Sequence, residues 1–287
     1  MTTTVPANGI EIAYESFGSP EGRPLLLIMG LGAQMILWDD EFCALLADRG
    51  HHVVRYDNRD VGLSTHLHEA GPPDLAAALS GAPFQPAYLL SDLADDAAAL
   101  MDALGWPAAH VAGASMGGMI AQELALSHPS RVLSLTSIMS TPGKAGPPTP
   151  EASAALLSPP ARTREEAIAG ALTAWKVLGS PGFGLDAERI ARRAGLSFDR
   201  GHDPAGVSRQ LAAILASGDR TERLAKLDVP TLVLHGEQDP LIQLAGGQAT
   251  AEAIPGARLV TFPGMGHDLP RPLWERIVTE ITRLTAA

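Results

Sequence analysis

Residues 109–128 read AHVAGASMGGMIAQELALSH, and the fold turns on how the chain passes from the first half of this stretch to the second. The opening residues are small and apolar without alternation, which suits a strand covered on both faces. From Met116 onward the spacing is helical. Between the two lies Gly113-x-Ser115-x-Gly117. A sharp strand-to-helix turn strains its central residue, exposes that side chain and leaves room only for small neighbours. A flexible glycine turn without chemistry is the competing reading, and the rest of the chain has to choose.

Working outward, the same theme repeats. PLLLIMG (24–30), HVVRYD (52–57), VLSLTSI (132–138), TLVLHG (231–236) and RLVTFPG (258–264) read as strands, preceded by a hairpin or meander around Asn8-Gly9 and IEIAYES. Helical patterns at 39–49, 91–104, 116–127, 244–253 and from about 271 fall between them. This alternation predicts an α/β chain with a doubly wound, mostly parallel sheet. One region departs from it. TPGKAGPPTP opens a stretch with helical segments at 151–157, 164–178, 186–195 and 204–217 and no convincing strand. The expected organisation is a core domain over 1–140, a helical cap over 141–228 and the rest of the core over 229–287. A cap so placed lies over the C-terminal edge of the sheet, where open α/β sheets bind ligands.

Composition narrows the function. The 287 residues include 46% hydrophobic and 18% charged, as in a globular enzyme-sized chain. The formal net charge of -11 opposes binding to nucleic acid or anionic membranes. Cys43 is the only cysteine, so no intrachain disulfide forms, which suits a reducing compartment. It reads as a small buried thiol. MTTTVPANG is unlike a signal peptide, and no apolar run reaches the ~20 residues of a membrane helix. The expectation is a cytoplasmic protein, monomeric or a small homo-oligomer, acting on a small molecule.

If Ser115 is a nucleophile it needs a base, and the chain has nine histidines. His51, His52, His110 and His128 sit in or beside regular elements and read as structural. His66, His68 and His202 fall in loops or the cap. His267, in VTFPGMGHDLP, follows the last strand in a glycine-rich loop, at the edge where Ser115 emerges. A base in turn needs a carboxylate to fix its tautomer. Asp239 in TLVLHGEQDP lies at that edge, with Glu237 as its rival two residues earlier. The turn after VLSLTSI reads STPGK and carries no carboxylate. For the oxyanion, the amide of Met116 at the helix N-terminus and the amide of Leu31 after LLLIMG are the candidates. Trp175 and Phe183 of the cap are candidate pocket residues, and GSPGFG (179–184) a hinge or rim. No histidine/carboxylate cluster has ligand spacing along the chain, and Gly30 and Gly32 do not complete a nucleotide-binding pattern, so neither metal nor cofactor is expected.

At this point LLLIMGLG, VVRYDNRDVGLST, GASMGG, TLVLHGEQDP and PGMGHDLP together resemble the α/β-hydrolase family over nearly the whole chain. Within it, DEFCALLADRGHHVVRYDNRD and PGMGHDLP are most similar to actinobacterial anthracycline methylesterases. The resemblance implies the serine-acid-histidine order Ser115, Asp239, His267, with Asp57, Arg59 and Asp60 holding loops beside the site. "MG" at 29–30 replaces the His-Gly of many members, and Asp60-Val61 replaces part of a glycine-rich segment. The expected activity is hydrolysis of a carboxylic ester with a sizeable hydrophobic portion. A carbon–carbon bond hydrolase or a cofactor-free perhydrolase would use the same triad. A non-catalytic binding module would be signalled by loss of a triad member, and a haloalkane dehalogenase would need aspartate at 115.

Overall fold

β3 (Arg23–Ile28) shows why the sheet forms: Leu26 and Ile28 point into one apolar layer while Leu25 and Leu27 point into the other. All four side chains are at most 1% exposed. Only a strand roofed by helices on both faces can do this, and each such side chain contributes about 2 kcal/mol relative to exposure. The structure, a computed structural model, describes residues 2–143 and 146–286. Among them the other strands are β1 (Thr3–Ala7), β2 (Ile10–Phe17), β4 (His51–Tyr56), β5 (Ala109–Ala114), β6 (Val132–Ile138), β7 (Thr231–Gly236) and β8 (Arg258–Phe262). Their order across the sheet is β1-β2-β4-β3-β5-β6-β7-β8. The β1–β2 and β2–β4 pairs are antiparallel and the remainder parallel.

On one face α1 (Asp40–Asp48) and α11 (Trp274–Thr285) cover the sheet with Phe42, Leu46, Ile277 and Ile281. On the other, α3 (Leu90–Ala103) and α4 (Met116–Ser127) bring in Leu93, Ala97, Ile120 and Leu124. A short helix α2 (Leu75–Ser80), which the sequence pattern did not suggest, lies in the long connection after β4. After β7 comes α10 (Leu244–Ala253). No helix of the described residues is long and apolar enough to cross a membrane.

Between β6 and β7 the described residues are helical: α5 (Pro150–Leu156), α6 (Arg164–Leu178), α7 (Ala187–Arg200), α8 (Pro204–Ser217) and α9 (Thr221–Leu224). This is the helical subdomain expected from the sequence. Lys144 and Ala145, in its Pro/Gly-rich opening, lie outside the described residues. Local chemistry sets its boundaries. Thr163 caps α6 by accepting from the Glu166 amide at 3.2 Å, and Asp203 caps α8, which opens with Pro204. α7 runs to Arg200, beyond the expected end at 195. Gly195 is not a helix stop but a close approach, because a Cβ there would lie 2.4 Å from an Arg164 guanidinium nitrogen. Arg164 in turn binds Asp199 at 3.0 Å, so the last turn of α7 is held by α6.

Several histidines are structural, as expected. His51 spans from the Leu46 carbonyl (2.8 Å) to the Thr285 hydroxyl (2.7 Å), and His110 meets Ser134 at 2.8 Å. Burial disfavours their charged forms, holding His51 and His235 below the ordinary imidazole value and His110 down to about 4. A depressed folded value means that the unfolded chain binds more protons. The stability from these neutral rings is therefore complete above pH ~6.5 and is lost as pH falls towards 4. Thermal unfolding should show a midpoint dropping across that window. His110→Gln should destabilise less at pH 4.5 than at pH 7; an equal effect at both would remove His110 from the account.

Candidate active site

The elbow is strained as its sequence requires. Ser115 has φ 57° and ψ −121°, a region that non-glycine residues rarely occupy. The turn is so tight that a Cβ on Gly113 would lie 2.0 Å from the Gly117 carbonyl oxygen, and one on Gly117 would lie 2.1 Å from that of Ile28. Both positions must therefore be glycine, which decides the question raised by the quoted stretch in favour of an elbow. Neighbouring strands hold it in place. The Ser115 amide donates to Ile138 at 2.9 Å, and the Ser140 hydroxyl donates to the Ser115 carbonyl at 2.8 Å.

The parallel strands deliver the partners to the same edge. Asp239 follows β7 and His267 follows β8. His267 Nδ1 lies 2.7 Å from Asp239 Oδ2, and His267 Nε2 lies 3.0 Å from Ser115 Oγ. A carboxylate only accepts, so Nδ1 carries the proton and Nε2 presents its lone pair to the serine hydroxyl. The other oxygen, Asp239 Oδ1, accepts from the amides of Leu241 and Ile242, both at 2.9 Å. Asp239 and His267 are buried. Glu237, the rival acid, is exposed and accepts from the Thr261 hydroxyl at 2.8 Å. The structure brings Ser115, His267 and Asp239 together and leaves Glu237 outside.

Above this cluster lies a cavity of about 840 Å³. Leu31 and Met116 line it beside Ser115. The first intrahelical bonds of α4 run from Gly118 and Met119 to the Ser115 carbonyl, so the Met116 amide is one of the helix's free N-terminal donors. Gly30 allows the loop after β3 to approach, since a Cβ there would lie 3.0 Å from the Ser115 Cβ. Trp175 and Phe183 are on the wall, with Met29, Met116, Met119 and Met139.

Three features escaped the sequence reading. First, GSPGFG is docked rather than loose. Gly182 donates to the Gly264 carbonyl (2.9 Å), Gly266 donates to the Ser180 hydroxyl (2.9 Å), and the His267 amide donates to Leu178 at 2.7 Å. Second, Asp268 lines the cavity beside His267; burial pushes its carboxyl above the usual range, against a hydrogen bond from Ser180. Third, Arg189 and Arg193 line the cavity. Both reach Asp39, at 2.5 and 3.3 Å, and burial together with Arg189 holds Arg193 down to about 10. No spacing rule points to a cap arginine whose partner lies some 150 residues away. Asp57 and Asp60 keep the structural role expected of them: Asp57 accepts from the Met35 amide (2.7 Å) and pairs with Arg200, and Asp60 pairs with Arg209. Each ties the loop after β4 to the cap.

Residues 23–270 match the family model described as alpha/beta hydrolase fold. The chain is 32% identical to rhodomycin D methylesterase of Streptomyces sp. strain C5, covering 100% of this chain and 98% of that protein. It is 30% identical to 3-oxoadipate enol-lactonase 2 of Acinetobacter baylyi, over 88% and 84% of the two chains. Among solved structures, a hydrolase from Pseudomonas aeruginosa superposes with a TM-score of 0.77 at 27% identity, covering 100% and 98% of the two chains.

Proposed function

The chain belongs to the alpha/beta hydrolase fold family and is a carboxylic ester hydrolase, and on that premise we propose that Ser115, His267 and Asp239 carry its chemistry. The observation that supports this most directly is the continuous line from Ser115 Oγ through the imidazole to Asp239, at 3.0 and 2.7 Å. Ser115 Oγ attacks the ester carbonyl while His267 Nε2 takes its proton. The amides of Leu31 and Met116 receive the oxyanion, helped by the positive end of α4. His267 then gives the proton to the departing alcohol, leaving an acyl group on Ser115. Water, deprotonated by the same nitrogen, releases the acid and restores the serine.

The substrate we propose is an ester carried on a bulky hydrophobic body, in keeping with the methylesterase relative. The cavity volume supports a large ligand, and thioether and aromatic walls suit ring faces. We place the cap limits at 141 and 228, supported by β6 ending at Ile138 and β7 starting at Thr231. The lone, buried Cys43 supports a cytoplasmic setting. A panel of ester, lactone, amide and diketone substrates tests the reaction type, with wild type and Ser115→Ala side by side. Hydrophobic esters should turn over fastest, and a fluorophosphonate probe should label Ser115. Fastest turnover of a diketone would replace the ester reading with carbon–carbon cleavage, and labelling of another residue would displace the nucleophile.

Phe183 provides a test of the cap. It lines the cavity and packs on the core next to the histidine loop. Phe183→Ala should shift preference among bulky acyl or alcohol groups by roughly tenfold or more, the scale of one methylene of pocket contact. Turnover of a small activated ester should stay within a few-fold. Loss of turnover on every substrate in a folded variant would make Phe183 part of the catalytic machinery.

A further inference from the structure

Away from the cavity, two histidines and one aspartate that stand far apart in the sequence converge where the cap meets the core. His66 Nδ1 lies 3.0 Å from Asp203 Oδ2, and His68 Nδ1 lies 3.5 Å from the same oxygen. The two imidazoles stack at 5.4 Å with 9° between their planes. One ligand atom from each of the three residues falls within 4.8 Å of the others. We infer that His66, His68 and Asp203 form a divalent-cation site, best suited to zinc, that clamps the cap to the core.

The ring positions argue for it. Two imidazole nitrogens, His66 Nδ1 and His68 Nδ1, lie 3.0 and 3.5 Å from one anionic oxygen, Asp203 Oδ2. With a cation on His66 Nδ1, the ring hydrogen sits on Nε2, which lies 3.1 Å from the Gly62 carbonyl. Donation of the remote ring N–H to a backbone carbonyl is also the usual support of a metal-bound histidine. With bonds of about 2.0–2.1 Å, a tetrahedral zinc holds its ligand atoms roughly 3.4 Å apart, close to the two separations seen.

Charge is consistent as well. Arg209 touches Asp203 Oδ2 at 3.1 Å, yet its Nε and Nη2 bind both oxygens of Asp60, at 2.9 and 2.7 Å. Arg209 and Asp60 therefore neutralise each other, and Asp203 supplies one net negative charge. A carboxylate oxygen has two lone-pair directions: Arg209 takes one and the cation the other. The side chain of His68 is 73% exposed, which leaves the remaining coordination position to water.

The consequence is mechanical. Asp203 is the N-cap of α8, whose Gln210 accepts from the Gly32 amide at 2.8 Å and whose Leu211 and Ile214 face the cavity. A cation at Asp203 fixes the start of that helix to the loop carrying His66 and His68. It stabilises the closed cap without taking part in hydrolysis.

The test is zinc titration of the full chain, stripped with chelator, by calorimetry and thermal unfolding at pH 7.5. One zinc should bind per chain with a dissociation constant of about 10 μM or below, and the unfolding midpoint should rise. His68→Ala, an exposed change, should weaken binding at least tenfold while leaving the metal-free midpoint and turnover of an activated ester unchanged. Asp203→Asn should abolish binding. No binding at 100 μM zinc, or binding indifferent to His68→Ala, overturns the site.

Discussion

Ser115→Ala and His267→Ala should each lower kcat by on the order of 10⁴- to 10⁶-fold, and the double variant should be little slower than either. The geometry makes the two residues one device. Without the imidazole 3.0 Å away, the hydroxyl keeps its proton and is a poor nucleophile; without the hydroxyl, the imidazole has nothing to activate. Whatever rate remains comes from substrate binding and the oxyanion amides, which neither substitution touches. Alanine at 115 still occupies the strained φ of 57°, so the elbow and the fold persist. Steady-state and single-turnover kinetics on the best ester, with circular dichroism to confirm folding, give the comparison. Effects that multiplied in the double variant would show that Ser115 and His267 act independently.

Much of this site was readable before any coordinates. Each of its three residues follows a strand of the parallel part of the sheet: Ser115 comes directly after β5, while Asp239 and His267 lie in the loops after β7 and β8. Parallel strands all end at one edge, so Ser115, Asp239 and His267 had to meet there once β5, β7 and β8 were recognised. β5, β6, β7, α4 and α8 have the expected bounds. The glycines at 113 and 117 were legible for the same steric reason that the structure displays. What could not be read depends on pairs distant in sequence. The last turn of α7, beyond the expected 186–195, could not be read because the Arg164–Asp199 pair that holds it joins two different helices. His66 and His68 lie in the connection after β4, as expected, but nothing in the sequence joined them to Asp203, which is 137 residues from His66. The short α2 has too few residues to show a period.

The docking of residues 178–183 onto the histidine loop gives the cap a part in holding the core. The cap supplies apolar wall, as the sequence suggested, but it also supplies the carbonyl that accepts the His267 amide proton and the hydroxyl that meets Gly266. Selectivity and the position of the base thus share one segment. Phe183 can change the first without the second because its own side chain makes none of these bonds. Ser180, by contrast, touches both Gly266 and Asp268.

Asp239→Asn should reduce kcat by about 10⁴, the scale of an imidazole held in the wrong tautomer, whereas Glu237→Gln should change it by less than about twofold. The hydrogen bonds around Asp239 supply the reason. Its Oδ1 receives two backbone N–H groups, from Leu241 and Ile242. In an asparagine the carbonyl oxygen must take that place, because an NH₂ group aimed at two donors would leave all of them unsatisfied. The NH₂ group is therefore turned towards His267 Nδ1. It can only donate, so Nδ1 must become the acceptor and the ring proton moves to Nε2. That places a hydrogen against Ser115 Oγ where a lone pair is required. The base is present, correctly placed and protonated on the wrong side. The KM of a neutral ester should change little, since the carboxylate lies behind the imidazole and outside the cavity wall. Kinetics on purified Asp239→Asn and Glu237→Gln measure both effects. Greater damage from Glu237→Gln would move the acid by two residues. An Asp239→Asn variant retaining a tenth of wild-type turnover would show that the imidazole keeps its tautomer without the carboxylate.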